Sequence, residues 1–392
     1  GIGFSHPCIG EAWNDPHRLA RLHANRYRDD AGRHTLIQWR DEYHEWNGGA
    51  WLPKPDSDHD AELARHCREV FVADLPARRD EARALGNNAK PVSLYSVTTA
   101  MKSNVRVNLS GLLNHPDRGI DAPFWLPGAT NGVEPEDVIA APNGLFTLSD
   151  IAEGRGAFSP PTPLFFTPNA IAFPVPPSAP PPPVWLRSCD EWFDGDVASI
   201  AGLQEWFAYL LSGHTVAHKL LFLVGPMRSG KGSILRVLLQ LIGADNIAST
   251  TFAALSENFG LENLLGKRVA VIPDARLSGR TDTAALVERL LSISGEDPQS
   301  VNRKNRPRIT TKLRTRFVLA SNEVPRLPDA SGAIESRIFI LHTPNSWLNR
   351  ENHELGKQLS LEMPGILHWA AAGWSRLVQN GMRFTRNDKA AQ

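Results

Sequence analysis

Gly225, Pro226, Met227, Arg228, Ser229, Gly230, Lys231, Gly232 and Ser233 put glycine, lysine and hydroxyl in an order that suits phosphate binding. The glycines let the backbone turn tightly, so its N–H groups point inward around a β-phosphate. The helix expected next presents its positive end to the same anion. Lys231 then adds a cation against the β- and γ-phosphates of ATP. One position departs from the usual pattern: Gly232 stands where a magnesium-binding hydroxyl is expected, and Ser233 follows one place later. The metal then falls to Ser233, directly or through water, or to acidic residues.

Three further residues follow in an order that suits nucleotide hydrolysis. Asp274 ends the apolar run from Val269 to Ile272, and an acid at such a strand tip can hold Mg2+ or polarise water. The plainer reading is that it caps the next turn. Ala275 follows it, so no second acid stands beside it. Asn322 ends the run from Arg316 to Ser321, where its amide can meet the γ-phosphate or the attacking water; a simple turn is the alternative. Arg337 opens another apolar strand. It reads equally as an arginine finger for a neighbouring subunit's γ-phosphate or as an internal partner of Glu335.

Between the strand that ends at Asp274 and the strand that ends at Asn322, seven of the fourteen residues from Arg303 to Arg316 are basic and none is acidic. Alternating runs on either side of Asn305 and Arg306 predict a hairpin. Like charges this close repel one another unless an anion sits among them, so Arg303, Lys304, Arg306 and Arg308 are candidate contacts to a nucleic-acid backbone.

These side chains need a scaffold, and the hydropathy pattern predicts one. Leu220 to Val224 reads as a buried strand, and Ile234 to Ile242 as the helix after the glycine loop. The alternation continues as a doubly wound α/β domain with a mostly parallel sheet. Ser199 to Gly213 has the spacing of an amphipathic helix. The proline-rich stretch from Phe173 to Val184 predicts extended polyproline II, as a semi-rigid spacer or, alternatively, a peptide ligand.

Residues 1–172 form a predicted smaller α+β domain. A capped helix starts at Asp15 and Pro16, paired strands lie around Asn47 and Gly48, a helix covers Asp60 to Val72, and a hairpin centres on Pro142, Asn143 and Gly144. Trp39, Trp46 and Trp51 read as a small core, with base stacking as the alternative. The predicted organisation is then 1–172, a linker at 173–184, a helical lead-in at 185–218, the α/β core at 219–345 and a helical segment at 346–392.

Composition sets limits on this reading. The 392 residues carry 42 basic and 42 acidic side chains, which leaves any nucleic-acid footprint to local clustering. Cys8, Cys67 and Cys189 are far apart and form no zinc-spaced set, which reads as a reduced, intracellular protein without a structural metal. No apolar run approaches membrane-spanning length. The start at Gly1, Ile2 and Gly3 and the end from Asn387 to Gln392 read as cuts through a longer polypeptide.

The order of Gly225–Ser233, Asp274, the basic hairpin, Asn322 and Arg337 resembles the superfamily III helicases, in particular the primase-helicases of phages and plasmids. The stretches Asp274–Arg280 and Val287–Asp297 look especially like actinobacterial-phage members. The resemblance spans roughly residues 190–375. It implies an AAA+ fold, a homo-hexameric ring on single-stranded or forked DNA, and 3′ to 5′ translocation during replication in the bacterial host's cytoplasm. It also implies ATP and Mg2+ at subunit interfaces, Arg337 acting in trans, and Lys304 with its arginine neighbours in a central channel. A primase domain or other replication proteins are implied partners, although residues 1–392 carry no paired-carboxylate primase motif. Two other readings share the glycine loop: an ATP-regulated DNA-binding or remodelling protein that does not unwind, and a P-loop nucleotide kinase.

Overall fold

The computed structural model describes residues 11–85, 91–115, 119–129, 132–277, 281–304, 306–325, 327 and 332–386. Gly1, Ile2, Gly3, Cys8, Arg280, Asn305 and the stretch from Asn387 to Gln392 lie outside them. The chain forms two compact units, residues 1–47 with 51–120, and 48–50 with 121–392.

In the first unit, helix α1 (Pro16–Ala24) begins as its sequence predicts. The Asp15 side chain accepts from the amides of His17 and Arg18, and Pro16 takes the first turn, where no donor is needed. Strands β1 (Leu36–Trp39), β2 (Glu42–Trp46) and β3 (Trp51–Lys54) form an antiparallel sheet in that order. The β1–β2 turn is made by Arg40 and Asp41, with φ of 52° and 63°. Two positive φ values match the strand twist, but neither residue type announces the turn. Trp51 is fully buried, whereas Trp39 and Trp46 are half-buried, and the Arg40 guanidinium covers the Trp39 ring at 4.2 Å.

Helix α2 (Asp56–Ala84) is longer than predicted and α3 (Thr99–Leu113) packs beside it. Leu19, Leu36, Tyr43, Leu63, Phe71 and Leu109 make the core. Arg18 and Asp74 pair inside it through two bonds of 2.9 Å. Three buried histidines lie nearby: His23 Nδ1 is 3.0 Å from His66 Nδ1, and the His23 ring stacks on His59.

The second unit begins with short pairs: β4 (Phe124–Trp125), the hairpin β5 (Ile139–Ala141) and β6 (Gly144–Phe146), helix α4 (Leu148–Ala152), and β7 (Phe165–Phe166), which pairs with β4. Phe146, Leu148 and Ile151 share one core with helices α5 (Pro183–Trp192) and α6 (Val197–Leu211). That shared core draws residues 121–172 into the second unit. The proline-rich stretch also lies within this unit. Val175 is buried, and its amide and carbonyl both bond the Asn143 side chain, at 2.9 and 2.8 Å. It is therefore a strap tied down at its start, which differs from a spacer between bodies.

The rest follows the alternation in the sequence: β8 (Leu220–Val224), α7 (Lys231–Ile242), β9 (Ile247–Ser249), α8 (Phe252–Ser256), β10 (Val269–Ile272), α9 (Thr283–Ser294), the hairpin β11 (Gln299–Arg303) and β12 (Arg306–Thr311), β13 (Arg316–Ser321), α10 (Ala333–Arg337), β14 (Ile338–His342), α11 (Leu355–Leu361) and α12 (Met363–Gln379). Five strands form a parallel sheet in the order β14-β8-β13-β10-β9. Side chains alternate across it. Leu221, Leu223, Val318 and Ala320 face α6, α7 and α12 on one side, while Phe222, Phe317 and Leu319 pack with α8 and α9 on the other.

Helix α6 is more deeply buried than an amphipathic surface helix, because α12 covers the face turned away from the sheet. Even Glu205 is sealed in, bonded to Arg376 and to the amide and hydroxyl of Thr385. Among the described residues no helix is long and apolar enough to cross a membrane.

Candidate nucleotide site

Four parallel strands end side by side, and backbone bonds tie their carboxyl ends together. The Gly225 amide donates to Ser321 O at 3.3 Å, Thr343 N to Val224 O at 2.8 Å, and Ala275 N to Ala320 O at 2.9 Å. These bonds bring the glycine loop after β8, Asp274 after β10, Asn322 after β13 and Thr343 after β14 to one edge of the sheet.

The loop needs its glycines. A Cβ on Gly225 would lie 2.2 Å from Thr343 O, and one on Gly230, where φ is +97°, would lie 2.5 Å from the Trp192 ring. Arg228 also has positive φ, at 58°. Successive amides in such a turn point into one concavity, which suits an anion. Ser229 Oγ bonds Thr343 Oγ1 at 2.7 Å, and both are buried. Ser346 donates to Met227 O at 2.7 Å and the Trp347 amide to Arg228 O at 2.9 Å. Arg228 itself pairs with Glu351 at 3.4 Å. Lys231 Nζ lies in the loop, donating to Gly225 O at 2.6 Å and Pro226 O at 2.7 Å. Burial lowers its pKa.

Asp274 is exposed and its carboxylate pairs with Arg276 at 2.9 Å. Asn322 is exposed at the end of β13, directly beside the loop strand. A second acid, Glu323, is exposed next to it; position relative to β8 could have flagged it, since an acid need not follow Asp274 in sequence to share its edge. Trp192, Thr343 and Trp347 were also missed, because they brace the loop from segments distant in sequence.

The donor set for magnesium is thin. Gly232 brings no ligand, although a Cβ there would meet nothing within 4 Å. Ser233 Oγ accepts from Arg236 at 3.1 Å and lines a cleft between α7 and α11. Among the described residues no group of three or more His, Cys, Asp or Glu could hold a metal alone. Asp274 would be the carboxylate to hold a magnesium ion here, with phosphate oxygens and water as the remaining oxygen donors.

The structure does not bring Arg337 to this edge. It precedes Ile338, which sits opposite Leu220 at the start of β8, so about five residues of strand, ~16 Å, separate it from its own loop. Its guanidinium donates to Ser294 Oγ at 3.3 Å, at the end of α9.

The basic residues sort into two groups. Arg303 is buried, donating to Pro307 O at 2.9 Å inside the hairpin. Arg316 is buried under the end of α6, bonding the carbonyls of Leu210, Ser212 and His214, and Arg314 pairs with Glu136 at 2.7 Å. Lys304 and Arg308 are exposed and Arg306 half-exposed. The charge density is therefore partly internal, and the outward cations are fewer than the sequence count implies.

A family model described as "Family of unknown function (DUF5906)" matches residues 223–337, from the loop strand to Arg337. Two solved structures resemble the chain over most of its length. "The apo structure of NrS-1 C terminal region (305-718)" is 14% identical with a TM-score of 0.52, covering 95% of this chain and 76% of that one. "The A form apo structure of NrS-1 C terminal region-CTR" is 15% identical with a TM-score of 0.51, covering 91% and 69%. Likeness at this identity speaks to the fold.

Proposed function

We propose that the chain is an ATP-driven motor of the AAA+ class, a superfamily III-type helicase acting on single-stranded or forked DNA in phage or plasmid replication. The observation that carries this reading is the meeting of the glycine loop, Asp274 and Asn322 at the carboxyl ends of adjacent strands. The strand order β14-β8-β13-β10-β9 supports it, because β13 separates the loop strand from the Asp274 strand and puts Asn322 between them. The likeness to the NrS-1 C-terminal region supports the fold on which this reading rests.

In this reading the loop amides and Lys231 hold the phosphates. Asp274 would hold Mg2+, whose chemistry there is neutralising phosphate charge. Asn322 orients the attacking water, and Glu323 is the acid placed to accept its proton. Arg337, one strand length from its own loop, serves a neighbouring subunit's γ-phosphate in a homo-hexameric ring. Lys304, Arg306 and Arg308 contact the DNA backbone, while Arg303 holds the hairpin in shape.

The test is hydrolysis with and without single-stranded DNA, together with strand separation on a fork. DNA-stimulated hydrolysis with unwinding is expected, and Lys304→Ala should reduce stimulated turnover while leaving basal turnover near its original level. Stimulation without strand separation would favour a remodelling protein. Rapid transfer to a nucleoside monophosphate without DNA stimulation would favour a kinase and remove the motor reading.

A further inference from the structure

Trp192 lies against Gly230, and Ser346 and Trp347 bond the carbonyls of Met227 and Arg228. Where α7 leaves the loop, a cleft of about 250 Å3 runs between α7 and α11, starting at Ser233, two residues past Lys231. Ser233, Arg236, Val237 and Gln240 recur at helical spacing, so they share the face of α7 that lines it.

Its chemistry suits a flat ring with polar edges. Val237 and Leu359 are each 2% exposed and offer apolar surface inside the cleft. Ser360 Oγ lies 2.9 Å from Gln240 Oε1 and 2.8 Å from Gly356 O and donates its one proton to one of them, so the Gln240 amide keeps hydrogen-bonding capacity for the cleft. Arg236 stands at the mouth, bonding Gly232 O at 3.2 Å and Ser233 Oγ at 3.1 Å, so its charge is beside the first turn of α7. At ~300 Å3 or less, a pocket is too small for a drug-sized ligand and fits a single compact ring system.

We propose that this cleft takes the nucleoside end of the bound triphosphate. Gln240 and Ser360 read the edge of the base, and Arg236 meets the α-phosphate or ribose. The proposal rests on the phosphate-loop reading above and adds a specificity-determining subsite to it.

Calorimetric titration of the full chain with ATP and, separately, with inorganic tripolyphosphate tests both layers. ATP should bind more tightly than tripolyphosphate in the unaltered protein. Ser360→Trp, which fills the cleft, should weaken ATP by about tenfold or more while leaving tripolyphosphate affinity within about twofold. Gln240→Leu, a milder change that protects against a folding defect, should narrow the difference between ATP and CTP affinities. Equal weakening of ATP and tripolyphosphate, or undiminished ATP binding in both variants, overturns the cleft assignment. If tripolyphosphate binds and ATP gains nothing over it, the cleft assignment falls and the phosphate loop stands. If neither binds, the loop reading falls and takes the cleft with it.

Discussion

At the carboxyl end of the parallel sheet, Asp274, Asn322 and Glu323 are exposed and Lys231 is half-buried in a loop braced from outside. At the amino end, Arg268 and Arg316 are sealed beneath the last turn of α6, bonding the carbonyls of Leu210, Leu211 and Ser212. Burial, and a neighbouring guanidinium after it, pushes both guanidinium pKa values below their ordinary range, while Tyr209 opposes the shift at Arg316. The negative end of α6 offsets part of that cost. One edge keeps charge available for a ligand, and the other spends it on attaching a helix to the sheet. Charge type alone therefore says little; what already satisfies the charge decides its role.

The contrast is broken most sharply at Lys231. Lys231→Ala should lower ATP hydrolysis by about 100- to 1,000-fold while the thermal unfolding midpoint hardly moves. A large drop in that midpoint would mean that the lysine serves the loop's own carbonyls first. Arg316→Met makes the opposite case. It leaves buried carbonyls without their donor, and should cost about 3 kcal/mol in urea unfolding with little change in tripolyphosphate affinity for the folded fraction.

Acid provides a test in the first unit. Burial, then the neighbouring His66 and His59, lowers the pKa of His23 from 6.5 to about 3. His59 and His66 are lowered mainly by burial to about 4. The unfolded chain thus binds protons that the folded unit refuses. Stability is full above about pH 6.5 and falls as pH drops toward 4, by up to about 1.4 kcal/mol per pH unit for each histidine. Urea midpoints measured from pH 7.5 to 4.5 check this, and replacing His23 by Phe should flatten the slope. The smallest effect belongs to Gly232. Gly232→Thr supplies the missing hydroxyl in open space, and should lower the magnesium concentration for half-maximal ATP binding by about fivefold. No shift would mean that the metal is held away from the loop.

The sheet's central strands were legible because a parallel strand buried on both faces must be an uninterrupted apolar run, as β8 and β10 are. β9 has three residues and ends in a serine, which gives hydropathy nothing to detect. The Asn47 and Gly48 signal was sound for the β2–β3 connection, but the β1–β2 turn uses Arg40 and Asp41, whose positive φ is imposed by the strands they join. The proline-rich stretch was readable as extended backbone; its anchoring by Asn143 was not, because a single side chain 32 residues away supplies both bonds. In the candidate site, the placement of Asp274 and Asn322 at strand ends and of Lys231 at the start of α7 was legible. The divided fates of Arg303, Lys304 and Arg316 were not, since accessibility is a property of the packed hairpin and helix.

The placement of Arg337 at the amino end of β14 has a further consequence for the proposed ring. Each chain then carries half of two different reaction centres, giving a phosphate cradle to one neighbour and a guanidinium to the other. Two dead proteins should therefore cure each other: a chain lacking Lys231 and a chain lacking Arg337, mixed before assembly, regain hydrolysis at the junctions where an intact cradle meets an intact guanidinium.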